Sequence, residues 1–204
     1  MRTESIGIAI VAKAPIAGFA KTRLAPALGP IGAARLQARL IARMAAVACE
    51  AATGPVTLWV TPEESSFREL LGGLAVRLAR QPSGDLGARM STVVAAEAPV
   101  LVVGTDCPGL AARHLRDAAS LLRDGADAVL IPAEDGGYVL IGMRSPHPSV
   151  FTDVEWSSPA VLARTRRRMR DLNLALAEFP PLWDIDVPQD LERMRRSGFA
   201  ELIE

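Results

Sequence analysis

Short continuous apolar runs alternate along the chain with longer segments whose apolar residues recur every three or four positions. The short runs predict strands over residues 6–12, 56–61, 76–79, 100–104, 128–131, 138–141 and 174–179. The longer segments predict helices over 31–50, 66–71, 86–97, 111–124, 159–172 and 188–196. Unbroken apolar strands between helices are buried on both faces. This order predicts a Rossmann-like three-layer α/β/α sandwich with a mostly parallel sheet. No Pro/Ser/Gly-rich linker, repeat or low-complexity tract interrupts the pattern, so one domain over 1–204 is expected. In open sheets of this kind ligands bind beyond the carboxyl ends of the strands, so the loops there are where chemistry is sought.

Composition narrows the class. Half of the 204 residues are apolar, enough to fill a core, and 23 basic residues balance 23 acidic ones. A net charge of zero argues against a nucleic-acid scaffold that neutralises many phosphates. The densest basic cluster, Arg164, Arg166, Arg167, Arg168 and Arg170, reads as a solvated helix face. Two distant cysteines, Cys49 and Cys107, form neither a disulfide framework nor a zinc spacing. The apolar run 6–12 is too short for a signal-peptide core or a membrane span. A cytoplasmic protein with no nucleic-acid or membrane partner is the expectation.

The loop after the first strand runs Lys13-Ala-Pro-Ile-Ala-Gly-Phe-Ala-Lys-Thr-Arg-Leu-Ala-Pro26. With Ala12 at the strand end, it offers Lys13, Lys21 and Arg23 as cations, Thr22 as a hydroxyl, and Gly18 for close backbone approach. Fixed cations and backbone amides are what a polyphosphate needs. Lys21-Thr22 mimics the end of a P-loop, but Pro15 and Ala20 stand where that motif needs glycine, so it is rejected.

Asp85 opens the helix over 86–97, either as its cap or, with Arg89, beside a nucleotide's base or ribose. Asp106 lies just past a buried hydrophobic strand, placed to hold a metal or a hydroxyl. Neighbouring Cys107 reads as a small packed residue, because neither His114 nor His147 forms a nucleophile–base pattern with it. Asp135-Gly136-Gly137 is a turn in its own right, and with Tyr138 it offers contacts to a sugar or small acceptor. Ser157 or Ser158 reads as a helix cap with Pro159 at the first position, and Trp156 as a core residue or a stacking platform. Asp184 and Asp186 share one side of an extended segment. Asp186 also suits a helix cap ahead of Pro188 and Gln189.

Segments 13–24, 84–90, 104–108, 135–138, 156–157 and 184–191 together resemble a group of the nucleotide-diphospho-sugar transferase superfamily. That group goes by the label glycosyltransferase-A-like family, or domain of unknown function. The resemblance spans nearly the whole chain. It implies a glycosyltransferase-A type of fold. A more distant similarity reaches the phospholactate and molybdenum-cofactor guanylyltransferases. It carries a phosphate-binding role to Lys21 and Arg23, and a metal-binding role to Asp106 and Asp186. The glycine-rich run of many sugar nucleotidyltransferases is thinned here to Gly18, with Pro15 intervening.

These readings combine into a transferase acting at a nucleotide phosphate. Mg2+ or Mn2+ is expected on Asp106 and Asp186, with Lys13, Lys21 and Arg23 adding fixed positive charge. Ala12, Gly18, Thr22, Asp85 and Arg89 complete the expected nucleotide site. Asp135, Gly136, Gly137, Tyr138 and Trp156 are expected to contact the acceptor. The family label implies glycosyl transfer from a nucleotide sugar to a small acceptor. The same residues serve nucleotidyl transfer from a nucleoside triphosphate. A nucleotide-binding regulatory module without turnover is the alternative of another class.

Overall fold

The structure, a computed structural model, describes residues 4–62, 67–156 and 158–204. Its strands are β1 (Gly7–Lys13), β2 (Val56–Thr61), β3 (Val76–Arg80), β4 (Val100–Val103), β5 (Ala128–Pro132), β6 (Tyr138–Met143) and β7 (Leu176–Glu178). Its helices are α1 (Ala25–Ala51), α2 (Phe67–Leu70), α3 (Leu86–Glu97), α4 (Ala112–Arg123), α5 (Val161–Asp171) and α6 (Pro188–Arg196). Ser66, where α2 is expected to begin, lies outside the described residues. All seven strands join one sheet in the order β3-β2-β1-β4-β6-β5-β7.

Six strands run in one direction, and β6 alone runs against its neighbours β4 and β5. The cause is local: the short Asp135-Gly136-Gly137 turn cannot make the long crossover that a parallel pair requires. The carboxyl ends of β1 to β5 therefore share one edge with the β5–β6 turn.

Alternation along β1 sorts the core into two layers. Ile8 and Ile10 pack with Ile41, Met44, Leu115 and Leu122 from α1 and α4. Ala9 faces the other way, toward Val93, Val94, Leu162 and Met169 from α3 and α5. This is the three-layer sandwich read from the sequence. A third cluster, including Leu36, Leu40, Ile185, Leu191 and Met194, ties α6 and the segment before it to α1.

The starts of α1 and α5, and the caps of α5 and α6, depart from the sequence reading. The long helix is kinked at Gly29 (φ 69°, ψ 162°) ahead of Pro30, so an extra turn from Ala25 precedes the expected helix. Proline disfavours helical backbone at the residue before it, and glycine tolerates the alternative. α6 is not capped by Asp186. The Asp190 carboxylate accepts from the Asp186 and Val187 amides at 2.9 and 2.8 Å, reaching back to close the turn from inside. α5 begins at Val161 rather than Pro159, and the Ser158 hydroxyl donates to the Glu155 carbonyl instead of capping it. Ser157, the other expected cap, lies outside the described residues. The arginines of α5 form a surface face, as expected: Arg164 pairs with Glu155, Arg166 with Glu178 and Arg167 with Asp171.

Candidate functional site

A cleft of about 550 Å³ opens along the carboxyl edge of the sheet. Ala12, Lys13, Lys21, Thr22, Arg23 and Arg89 line it from the β1–β3 side. Asp106, Asp135, Gly137, Tyr138, Trp156 and Asp186 line it from the other. Twelve of the residues singled out by sequence thus meet in one place.

Three expected residues do not reach the cleft wall. Asp85 spends its Oδ1 as the N-cap of α3, accepting from the Ala88 amide at 2.8 Å. Gly18 has φ +79° with open space where a Cβ would stand, so its glycine serves the loop's backbone rather than a close approach within the protein. Gly136 is turned onto the backbone of Pro159, where a Cβ would lie 2.4 Å from the carbonyl oxygen.

The basic loop is tied to the carboxylates. Lys21 adopts left-handed backbone (φ 50°, ψ 40°), an uncommon conformation for a residue with a Cβ. Its ammonium donates to Asp106 Oδ2 at 2.9 Å and to the Ile185 carbonyl at 2.5 Å. The Lys21 side chain is only 5% exposed, so it is not the surface residue that a basic loop suggests. Arg23 pairs with Asp186. The Thr105 hydroxyl donates to Asp106 Oδ1 at 2.9 Å. The Ile185 amide donates to the Asp106 carbonyl at 2.8 Å, which brings the segment carrying Asp184 and Asp186 against the end of β4.

Sequence spacing gives Asp184 only a shared side with Asp186, and the structure gives it more. Burial, then the charges of Asp135 and Asp106, push its carboxyl up to about 6. A raised carboxylate holds its proton more tightly in the folded state. The stability it contributes is present in full below the ordinary value near 4 and is lost as pH rises through about 6. Asp184→Asn should therefore stabilise the ligand-free protein at pH 7.5 and leave it nearly unchanged at pH 4. With solvent screening at this part-exposed group, the gain is on the order of 1 kcal/mol. Melting curves across this pH range check it; parallel curves for variant and parent would defeat it.

Arg89 is braced by Gln81. The Gln81 amide donates to the carbonyls of Ala12 (2.8 Å) and Trp59 (2.9 Å), while its oxygen accepts from Arg89 at 3.4 Å. Asp135 accepts from the Gly137 amide at 2.9 Å, closing the turn on itself. Tyr138 is half-buried with its hydroxyl 3.9 Å from Met90 Sδ, and burial pushes its phenol up. Trp156 packs with the α3–α5 cluster and also lines the cleft.

Cys107 is buried, and burial pushes its thiol up to about 12, opposite to what a nucleophile needs. Cys107→Ser should keep most of the activity; a folded variant without turnover would reopen covalent catalysis.

Gln37, Thr105, Gln81 and Asp184 belong to the site and are not assigned to it by the sequence pattern. Gln37 carries one usable signal, a polar residue at an otherwise apolar position of α1.

Residues 44–158 match the model of a family described as "Uncharacterized protein conserved in bacteria (DUF2064)". The chain is also 31% identical over 187 residues to a 3-phospho-D-glycerate guanylyltransferase of Phenylobacterium zucineum, covering 87% of this chain and 84% of that protein. The chain belongs to the DUF2064 family. Among solved structures, a protein from Desulfovibrio desulfuricans described as a nucleotide-diphospho-sugar transferase superposes with a TM-score of 0.84 at 26% identity. The match covers 98% of this chain and 94% of that one. Rv0371c of Mycobacterium tuberculosis, solved with manganese, shares the fold at a TM-score of 0.53 and 15% identity, covering 95% of this chain and 100% of that one. This DUF2064 chain is a nucleotide-dependent transferase on the nucleotide-diphospho-sugar transferase fold. Among the described residues, no helix is long and apolar enough to cross a membrane.

Proposed function

We propose that the chain is a metal-assisted nucleotidyltransferase that joins a nucleoside monophosphate to a small phosphorylated acceptor. The observation that carries this reading is the interleaving of loop cations with carboxylates at the sheet's carboxyl edge. Lys21 sits on Asp106, and Arg23 on Asp186. The curated relative that transfers a guanylyl group supports nucleotidyl over glycosyl transfer, the expectation drawn from the family label.

In this reading Lys13, Lys21, Arg23 and Arg89 bind the triphosphate. Asp135, Gly137, Tyr138 and Trp156 form the acceptor wall. An acceptor phosphate oxygen forms a bond to the α-phosphorus, the bond from that phosphorus to the α–β bridging oxygen breaks, and pyrophosphate leaves with the electron pair. Lys21 and Arg23 would balance charge on the leaving group.

Asp106 and Asp186 would hold Mg2+ or Mn2+, with Asp184 beside them, between the two in sequence. The donor set fits: burial first, and then the charges of Asp135 and Asp106, oppose ionisation of Asp184, and a divalent cation relieves the charge crowding. Among the described residues, no group of three or more His, Cys, Asp or Glu closes into a cage of its own. Magnesium takes one or two protein carboxylates and completes its shell with phosphate and water, so a pair is enough. When bound, the ion would offset negative charge on the phosphates. The manganese in the Mycobacterium tuberculosis structure supports a divalent metal on this fold.

Product identity tests the reading. The protein is mixed with GTP, Mg2+ or Mn2+, and small phosphorylated acceptors, and in parallel with nucleotide sugars. Pyrophosphate from the first mixture is the expected result. A nucleoside diphosphate from the second, without pyrophosphate from the first, would overturn nucleotidyl transfer in favour of glycosyl transfer.

A further inference from the structure

We propose that Gln37 is a positioning residue that orients Asp106 through the hydroxyl of Thr105. The inference rests on the nucleotidyltransferase reading above.

Gln37 stands on α1 among Ala33, Ala34, Leu36, Leu40 and Ile41, and only 3% of it is exposed. An amide at such a depth is costly unless its hydrogen bonds are made. Its Nε2 donates to the Lys13 carbonyl at 3.2 Å and to Thr105 Oγ1 at 3.3 Å. The Lys13 carbonyl can only accept, so the side of the amide facing it must be the nitrogen.

The orientation of the amide sets the direction of the hydrogen-bond chain beyond it. Thr105, itself buried, receives the Gln37 N–H on its oxygen, so its single hydroxyl proton is left for Asp106 Oδ1, 2.9 Å away. The other carboxylate oxygen is held by Lys21. Asp106 is therefore clamped at both oxygens, and the clamp on Oδ1 is polarised from inside α1. By holding the Lys13 carbonyl as well, the same amide ties the root of the basic loop to the end of β4. The loop and the carboxylate keep their spacing through one buried side chain at the back of the cleft.

Gln37→Met matches the length of the side chain and removes the donor. It should fold and melt close to the wild type, lower kcat about tenfold, and leave the nucleotide KM within about twofold, as outer groups that orient a ligand do. Thr105→Val should lower kcat at least as much, and Thr105→Ser, which keeps the hydroxyl, should restore it. Because Gln37 acts through Thr105, the double variant Gln37→Met/Thr105→Val should be little worse than Thr105→Val alone. A purely structural Gln37 would give losses that add.

Calorimetric titration with Mn2+ alone gives a second readout, with affinity expected to fall about tenfold in Gln37→Met. Wild-type kcat in either Gln37→Met or Thr105→Val, or additive losses in the double variant, would overturn the inference while leaving the nucleotidyltransferase reading intact. A wild type that neither binds Mn2+ nor releases pyrophosphate would overturn both.

Discussion

Asp106→Asn should lower turnover by about a thousandfold while the protein still folds, because the ion it would hold, and the charge stabilisation that ion supplies, are lost with the carboxylate. The substitution keeps the size of the side chain. Its amide oxygen can still accept from Lys21 or Thr105, but the negative charge is gone, and the amide nitrogen cannot take the place of the second acceptor. The Lys21 ammonium, buried against this carboxylate, then loses its counter-charge. Asp106 is half-exposed, so the stability cost should stay at about 1–2 kcal/mol, below that of a fully buried broken pair. Paired measurements of kcat and melting temperature check both halves. A folded Asp106→Asn protein with wild-type turnover would remove Asp106 from the chemistry. Lys21→Ala carries a different expectation from that of a loop lysine. Its side chain is buried and holds Asp106 and the Ile185 carbonyl, so the ligand-free protein should lose stability together with nucleotide affinity.

Gly136→Ala should be the most damaging small substitution for stability. The new Cβ would lie 2.4 Å from the Pro159 carbonyl oxygen and 2.8 Å from its Cα, backbone atoms that cannot rotate aside. The residue also has φ +94°, a conformation strained for any side chain. Overpacking and backbone strain together should cost about 2–5 kcal/mol. For a chain of this size that is a fall in melting temperature of about 10 °C. The Gly136 carbonyl accepts from the Leu162 amide at 2.9 Å, so a shifted turn would also pull on the start of α5. Gly198→Ala is the control, with φ +83° but open space at the Cβ position, so it carries the backbone strain alone. Equal melting temperatures for the two variants would show that the contact with Pro159 does not matter.

Gly136 marks the depth to which sequence reading reaches into the site. Asp135-Gly136-Gly137-Tyr138 is legible as a turn, but which glycine faces the cleft is not. Gly137 lines the cleft, and Gly136 is pressed on Pro159, a neighbour that only the docking of α5 supplies. The same holds for the carboxylates. Asp106 announces itself by following a buried strand. Asp184 and Asp186 announce themselves only as a spaced pair, and that Arg23 reaches Asp186 is decided by the fold.

Local chemistry determined the elements. α3 starts and stops where the sequence predicts because Asp85 caps it and Ala98-Pro99 ends it, both effects confined to a few neighbouring residues. The three-layer sandwich with its mostly parallel sheet followed from unbroken apolar strands between amphipathic helices, since that pattern can be buried in few other ways. Membership in the superfamily was legible from motifs that sit on single loops. What only the tertiary structure decided is everything that joins residues far apart in the chain. Lys21 meets Asp106 and the Ile185 carbonyl, and Gln37 of α1 reaches Lys13 and Thr105 at the ends of two different strands. Those bonds exist because the sheet sets β1 beside β4, and strand order depends on the packing of the whole chain rather than on any local preference.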